Sequence, residues 1–372
     1  HFLLGDFFGR EGNLEAALRH YEAVLALDFD FPRARGRADE LRRRLDRPVA
    51  TAAPTIFGAE EVGPGGRFVL RRELGRGGGG TVYLAQDNSL GRLVAVKVLH
   101  PHVSERQEAR LQLFCEARVA AALRHPRIVT IYDLEESLNL VVMEYCAGGA
   151  LADRIARAPL EPAAALRRLA EITSVLDWVH RCGVIHRDLK PANLLLRGQE
   201  EGAPLVLTDF GTAHAGFEAP AGEPTAAGSL VYMAPEQRRT LAPDARADLY
   251  ACGVILIEML LGHVPLSQQQ AIAGADLLAM DELWRELEGR LPGPLAGPLL
   301  DLCRSLVAPE IDARPRDARE VSERARALAE SFAEHAVRRQ VLAELEERAG
   351  PPPRTAAVER WLRDSARLLL GY

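Results

Sequence analysis

Only two lysines, Lys97 and Lys190, stand among 46 basic residues; all the others are arginine. A chain that uses a planar guanidinium almost everywhere keeps an ammonium where a compact point charge is needed, as at a phosphate. Ahead of Lys97 runs Gly75-Arg76-Gly77-Gly78-Gly79-Gly80, a GxGxxG spacing. The spacing alone is ambiguous, because dinucleotide-binding folds use it to open a helix, with an acidic residue about 20 positions on. Here the glycines lead into Thr81-Val82-Tyr83-Leu84-Ala85-Gln86, which alternates like a strand, and the downstream landmark is Lys97 in Val94-Ala95-Val96-Lys97. A glycine loop joining two strands folds over ATP phosphates with its backbone amides. A plain flexible linker would leave the strands on both sides unexplained.

These residues need elements to hold them. Strand-like runs rich in β-branched and apolar residues fall at Phe68–Leu74, Thr81–Ala85 and Leu93–Leu99. A helix follows over about Ser104–Leu123, then strands near Ile128–Tyr132 and Leu138–Glu144. After Gly148-Gly149 the pattern is mostly helical to about residue 349, interrupted by short strand-like runs at Val184–Ile185, Leu194–Leu196 and Leu205–Leu207. A small β-rich lobe ahead of a larger helical one places a cleft at the join.

The flanks read differently. Residues 1–47 are expected to be helical, and Leu4, Gly5, Phe8, Ala17 and Tyr21 resemble part of a tetratricopeptide repeat, with Val24 and Phe29 departing from its usual small residue and proline. One repeat cannot bury its apolar face, so more repeats are expected upstream, in an arm that recruits a partner protein. The arginines of 32–45 alternate with Asp39 and Glu40 and read as a solvated helix face. Pro48–Gly66, without periodicity, reads as a linker. At the other end, Ala318–Ala349 is an Ala/Glu/Arg helix stopped by Gly350-Pro351-Pro352-Pro353, with a second amphipathic helix over Ala356–Leu370; residues 333–372 are expected to be a helical extension.

Composition narrows the function. A net charge of −6 argues against a nucleic-acid binder that relies on overall positive charge. The five cysteines, Cys115, Cys146, Cys182, Cys252 and Cys303, form no CxxC pair and so neither a zinc signature nor a disulfide framework, which fits a reducing cytoplasmic setting. The longest apolar stretch, Leu249–Leu266, is broken by Glu258 and His263 and falls short of a membrane span, so a buried helix is expected there.

Three further motifs follow in order: His186-Arg187-Asp188-Leu189-Lys190-Pro191-Ala192-Asn193, Asp209-Phe210-Gly211 and Ala234-Pro235-Glu236. With the glycine loop and Lys97 they make residues 67–332 resemble the eukaryotic-like Ser/Thr protein kinases of bacteria. The resemblance implies an α+β, bilobal kinase fold, with ATP and Mg²⁺ as cofactors and protein Ser/Thr hydroxyls as acceptors. It implies that Gly75, Gly77 and Gly80 cover the phosphates, and that Lys97 binds the α- and β-phosphates and pairs with Glu116 on the intervening helix. Val82 and Ala95 would roof the adenine and Leu195 would floor it. Met143 would be the gatekeeper, with the backbone of Glu144 and Cys146 meeting the adenine edge. Asp188 would orient the acceptor hydroxyl and take its proton, and Lys190 would neutralise the moving phosphoryl group. Asn193 and Asp209 would supply oxygen ligands to magnesium. Asp248 would anchor the catalytic loop, and Glu236 would pair with Arg314. The two lysines fall on the two positions where the family calls for one, a coincidence of about one in a thousand if basic sites were drawn blindly. That argues against a decayed, inactive relative, and the activation-segment motif Gly228–Glu236 argues against a small-molecule phosphotransferase.

Two departures stand out. Gly79 replaces the bulky residue that usually tips the glycine loop, so four successive glycines raise the entropy lost on ordering it and lower the expected affinity for ATP. The segment 262–300, with its proline-rich Leu291–Pro298, matches the family poorly. Arg187, preceding the catalytic aspartate, fits activation by a phosphate on the activation segment, for which Thr225 is preferred over Thr212 and Ser229. Mass spectrometry of active protein is expected to find phosphate on Thr225, and Thr225→Ala is expected to lose activity; an unmodified Thr225 in active protein would remove this assignment.

Overall fold

The computed structural model describes residues 61–76, 80–100, 107–200, 202–210, 230–238, 244–291 and 293–349, together with Tyr21 and Arg37. His1–Ala59 form a unit of their own. The repeat-like reading of 1–47 falls outside the described residues, apart from Tyr21 and Arg37. Gly77, the Gly79 departure, Thr212, Thr225, Ser229 and the helix expected at 356–370 also lie outside them.

The first lobe is an antiparallel sheet built from β1 (Glu61–Val62), β2 (Phe68–Arg76), β3 (Gly80–Asp87), β4 (Arg92–Leu99), β5 (Ile131–Glu135) and β6 (Leu140–Glu144), in the order β1-β2-β3-β4-β6-β5. One helix, α1 (Gln107–Ala122), lies between β4 and β5 in the chain. Strand alternation sorts the side chains into two cores. Phe68, Leu70, Ala85, Val94, Val96, Leu140 and Val142 close one face. Ala95, Leu99, Val141 and Met143 pack on the other, against Phe114 and Ala117 of α1 and against Val129. Lys97 shares the parity of Ala95 and Leu99, so it falls on the α1 side.

Three sequence expectations change here. The last residues of the supposed linker are structured: Glu61 and Val62 pair with Val69 and Phe68. The strand expected at Ile128–Tyr132 begins at Ile131, because the chain just before it is engaged by the other lobe; the Val129 amide donates to the Leu207 carbonyl (2.8 Å) and the Leu207 amide to that of Arg127 (2.9 Å). Val184–Ile185 is not a strand. The Val184 amide returns to Val179 (3.2 Å), and the next amide, of His186, is taken by a side chain.

The second lobe contains α2 (Leu151–Ile155), α3 (Pro162–Arg181), the hairpin β7 (Leu194–Leu196) and β8 (Leu205–Leu207), α4 (Pro235–Arg238), α5 (Arg246–Leu261), α6 (Gln268–Ile272), α7 (Asp281–Arg290), α8 (Ala296–Leu306) and α9 (Ala318–Ala349). Every residue of α5 from Ala247 to Leu261 is buried, the pattern of a helix at the centre of a core. Gly253 lets α8 come close: a Cβ there would sit 2.6 Å from the Leu306 Cβ. Among the described residues no helix is long and apolar enough to cross a membrane. The helix α9 lies along α3 through Val321, Ala325, Ala329 and Phe332, and Ser322 Oγ donates to the Ala170 carbonyl (3.1 Å). Beyond Phe332 no described side chain of α9 is buried.

A buried bidentate pair ties the start of α4 to the segment before α9. Arg314 donates to both oxygens of Glu236 (2.7 and 2.8 Å), and its remaining donors reach the carbonyls of Ala308, Pro309 and Arg246. Removing one partner strands a charge out of water. Arg314→Ala is therefore expected to cost about 3–5 kcal/mol in urea unfolding, with a double Arg314→Met, Glu236→Leu change recovering much of it. A loss below about 1 kcal/mol in the single variant would show that the pair is solvated.

Candidate active site

The strand β4 presents Lys97 beneath the sheet, where its Nζ donates to Asp209 Oδ1 at 2.9 Å. Their side chains are 15% and 39% exposed, so solvent reaches the carboxylate more than the ammonium. Burial pushes the Lys97 pKa down, but the charge and hydrogen bond of Asp209, with Glu116 and Asp188 farther off, outweigh it and leave the pKa raised. For Asp209 burial pushes upward, and Lys97 and Lys190 bring the pKa below the usual carboxylate value. Both groups are therefore charged near neutral pH.

Glu116 lines the same pocket, with Met143, Phe210 and Thr208. The charge of Glu116 acts on Lys97 together with the Asp209 pair. The backbone of Asp209 sits in the left-handed region (φ 52°) immediately after Thr208, and its carboxylate meets the ammonium. Aspartate is among the few residues that tolerate this conformation.

The loop from His186 to Asn193 carries the second cluster. Lys190 Nζ donates to Asp188 Oδ2 (2.8 Å), and Asn193 Nδ2 donates to the Asp188 carbonyl (2.8 Å) and to its Oδ2 (3.2 Å). A 3₁₀ turn over Pro191–Asn193 delivers the amide, and the Thr208 amide donates to the Asn193 carbonyl (3.0 Å), fastening this loop to the start of the Asp209 segment. His186 is wholly buried; its Nε2 donates to the Thr208 carbonyl (3.2 Å), and its ring lies 4.9 Å from that of Phe210. Burial pushes its pKa down, so it is a neutral scaffold group and not an acid or base.

Asp248, near the start of α5, organises this loop. It accepts the amides of His186 (2.9 Å) and Arg187 (2.9 Å) and His180 Nε2 (2.8 Å). Burial alone would raise its pKa; the hydrogen bond and charge of His180, with His186, reverse that and hold it below the ordinary carboxylate value. Arg187 has φ 64°, a left-handed backbone that a non-glycine residue holds only when its neighbours fix it. Gln237 Nε2 also donates to the Arg187 carbonyl (3.1 Å).

The remaining expected site residues fall as follows. Val82 lies directly opposite Lys97, and Ala95 opposite Met143, across neighbouring strands. Leu195 is half-buried in β7. Glu144 directs its carboxylate away to Arg197 (2.7 and 3.2 Å) and donates its amide to Thr130 (2.8 Å). Cys146 is buried, its thiol pushed up to about 12 by burial and then by Glu144, so it is no nucleophile. Gly75, the next-to-last residue of β2, faces open space, but Gly80 is needed for packing, since a Cβ would fall 2.4 Å from the Val98 carbonyl. Sequence reasoning missed the clamp of Arg67 on the buried Asp87 (3.0 and 2.8 Å) and the bond from Tyr232 to Glu258 (2.8 Å), because no short spacing links these pairs.

For magnesium the available donors are the Asp209 carboxylate and the oxygen of Asn193, whose nitrogen is committed to Asp188. Two oxygens suit a hard cation that completes its shell from phosphates and water. Among the described residues no cluster of three or more His, Cys, Asp or Glu side chains is placed to hold a metal ion.

A curled antiparallel sheet over a helical lobe, with these side chains converging between them, defines the protein kinase fold. The chain belongs to the protein kinase domain family, whose profile matches residues 68–326. It is 36% identical over 212 residues to the serine/threonine-protein kinase PrkC of Bacillus subtilis, covering 56% of this chain and 32% of that protein. It is 40% identical over 230 residues to Pkn1 of Myxococcus xanthus, covering 60% and 32%. The chain therefore spans about a third of the length of these curated relatives. The crystal structure of the PknI kinase domain from Mycobacterium tuberculosis superposes with a TM-score of 0.53 at 26% identity, covering 75% of this chain and 100% of that one.

Because the folded pKa of Asp248 is depressed, its contribution to stability is present above the ordinary carboxylate pKa and fades as pH falls through the folded value. Asp248→Asn is expected to lose about 2–3 kcal/mol at pH 7, by replacing an acceptor with a donor facing donors, and to flatten the fall of stability between about pH 5 and 2. Urea unfolding across that range checks both; an unchanged acid limb would mean the carboxylate is not held ionised.

Proposed function

We propose that this chain is a serine/threonine protein kinase, which moves the γ-phosphoryl group of ATP to protein hydroxyls. The observation that carries the reading is the cluster at Asp188, where Lys190 and Asn193 converge on one carboxylate at 2.8 and 3.2 Å. The names of PrkC and Pkn1 support the choice of Ser/Thr acceptors.

Magnesium, when bound, supplies a hard Lewis acid that offsets charge on the phosphate oxygens. Asp209 and Asn193 hold it. Lys97 binds the α- and β-phosphates with a charged ammonium, and Glu116 on α1 supports that charge. Asp188 orients the acceptor hydroxyl and takes its proton at the carboxylate. Lys190, already beside Asp188, is placed to neutralise the negative charge passing between the oxygens. Gly75, Gly77 and Gly80 cover the phosphates. Val82, Ala95 and Leu195 enclose the base, with Met143 behind it and the backbone of Glu144 and Cys146 at its edge. Residues 1–47 serve as a partner-recruiting arm, and the five free cysteines fit a reducing cytoplasmic setting.

Incubation with labelled ATP, magnesium and a generic protein substrate is expected to label the substrate on Ser/Thr. Asp188→Asn and Lys97→Met are each expected to lower transfer by at least about 100-fold without lowering the melting temperature. No transfer by the unaltered protein would favour an inactive kinase-like scaffold, and labelling of small acceptors alone would favour a small-molecule phosphotransferase.

A further inference from the structure

A cavity of about 880 Å³ lies outside the cleft that holds Lys97 and Asp209. It opens behind the segment Ala147–Gly149, between α2, the first turns of α3 and the β7–β8 connection. Its floor is stitched together by backbone: the Ala147 amide donates to the Arg197 carbonyl (3.1 Å) and the Gly148 amide to that of Leu196 (2.9 Å). The approach is so close that a Cβ on Gly148 would stand 2.0 Å from the Gly198 carbonyl. The cavity is therefore built before anything enters it, which keeps the entropic cost of binding low.

Its walls carry Arg72, Arg154, Arg157, Arg167 and Arg168. Of these only Arg168 is neutralised, by Glu171, which also pairs with Arg127. Arg72 donates to a neutral group, the Tyr145 hydroxyl (3.3 Å). Arg154, Arg157 and Arg167 are exposed and form no ion pair or hydrogen bond through their side chains among the described residues. Against them stand three carboxylates: Glu171, which serves two arginines, Asp153, which also accepts the Ala150 amide (3.1 Å) at the start of α2, and Glu200 on the rim. A chain with net charge −6 thus gathers unspent guanidinium groups around one preformed concavity.

We propose that this cavity docks an acidic, extended segment of a protein partner, rich in Asp and Glu. The positive groups come from β2, α2, the turn after it and α3, a spread that a strung-out row of carboxylates can meet and a single small anion cannot. The cavity lies behind the segment joining the lobes, so an occupant leaves the ATP cleft open. That the segment belongs to the protein being phosphorylated rests on the kinase reading; the binding itself does not.

The test is a fluorescence-anisotropy titration of a fluorescein-labelled hexaglutamate peptide with the 372-residue chain, without nucleotide. Saturable binding that weakens between 50 and 150 mM salt is expected. A triple Arg154→Glu, Arg157→Glu, Arg167→Glu change should weaken it by roughly tenfold or more, and the neutral Arg→Gln triple, which guards against misfolding, by less. Phosphoryl transfer to a substrate lacking an acidic tract should be unchanged in both, which separates failure of this proposal from failure of the kinase reading. Absence of saturable binding, equal affinity in the triple variants, or equal binding of a hexalysine peptide would overturn the proposal. So would preferential binding to phosphatidylglycerol vesicles that the same changes abolish, which would make the patch a membrane contact.

Discussion

One buried carboxylate sets the shape of the catalytic loop. Asp248 receives two successive backbone amides, and the left-handed turn at Arg187 exists because those donors are captured. Such a backbone costs about 1–2 kcal/mol, which charge-assisted hydrogen bonds offset. From there the constraint passes outward. His186 is held, its imidazole holds the Thr208 carbonyl, and the next residue is Asp209, paired with Lys97 in the other lobe. A side chain on the central helix thus governs where an ammonium in the sheet finds its partner.

The sheet contributes parity. Val94 and Val96 close one core while Ala95 and Leu99 enter the other, so Lys97 must face α1 and the cleft. A slip of one residue in β4 would drive the ammonium among Phe68, Leu70 and Val142. The dense β3–β4 pairing, made possible by the absence of a side chain at Gly80, resists that slip.

Much of this was legible because the chemistry is concentrated in short runs. Asp188, Lys190 and Asn193 lie within six residues, and one turn brings them together. The β7 and β8 strands fall where the apolar runs place them, and the long helix from Ala318 where the Ala/Glu/Arg composition does. What the pattern could not carry was competition between distant groups. Ile128 looks like the start of a strand, yet its neighbours bond to Leu207. Val184 and Ile185 look like a strand, yet the following amide belongs to Asp248. The pairing of Lys97 with Asp209 goes with a left-handed backbone at Asp209 that no residue count reveals. The arginine-lined cavity draws on β2, α2 and α3, so in the sequence its members look like ordinary surface charges.

The near-total use of arginine has a consequence for covalent chemistry. Acylating reagents attack amines and spare guanidinium groups, and the only two lysine amines in the chain lie in the cleft, 15% and 22% exposed and each paired with an aspartate. Lysine acylation therefore reports on the cleft between the lobes with almost no background from lysines on the surface.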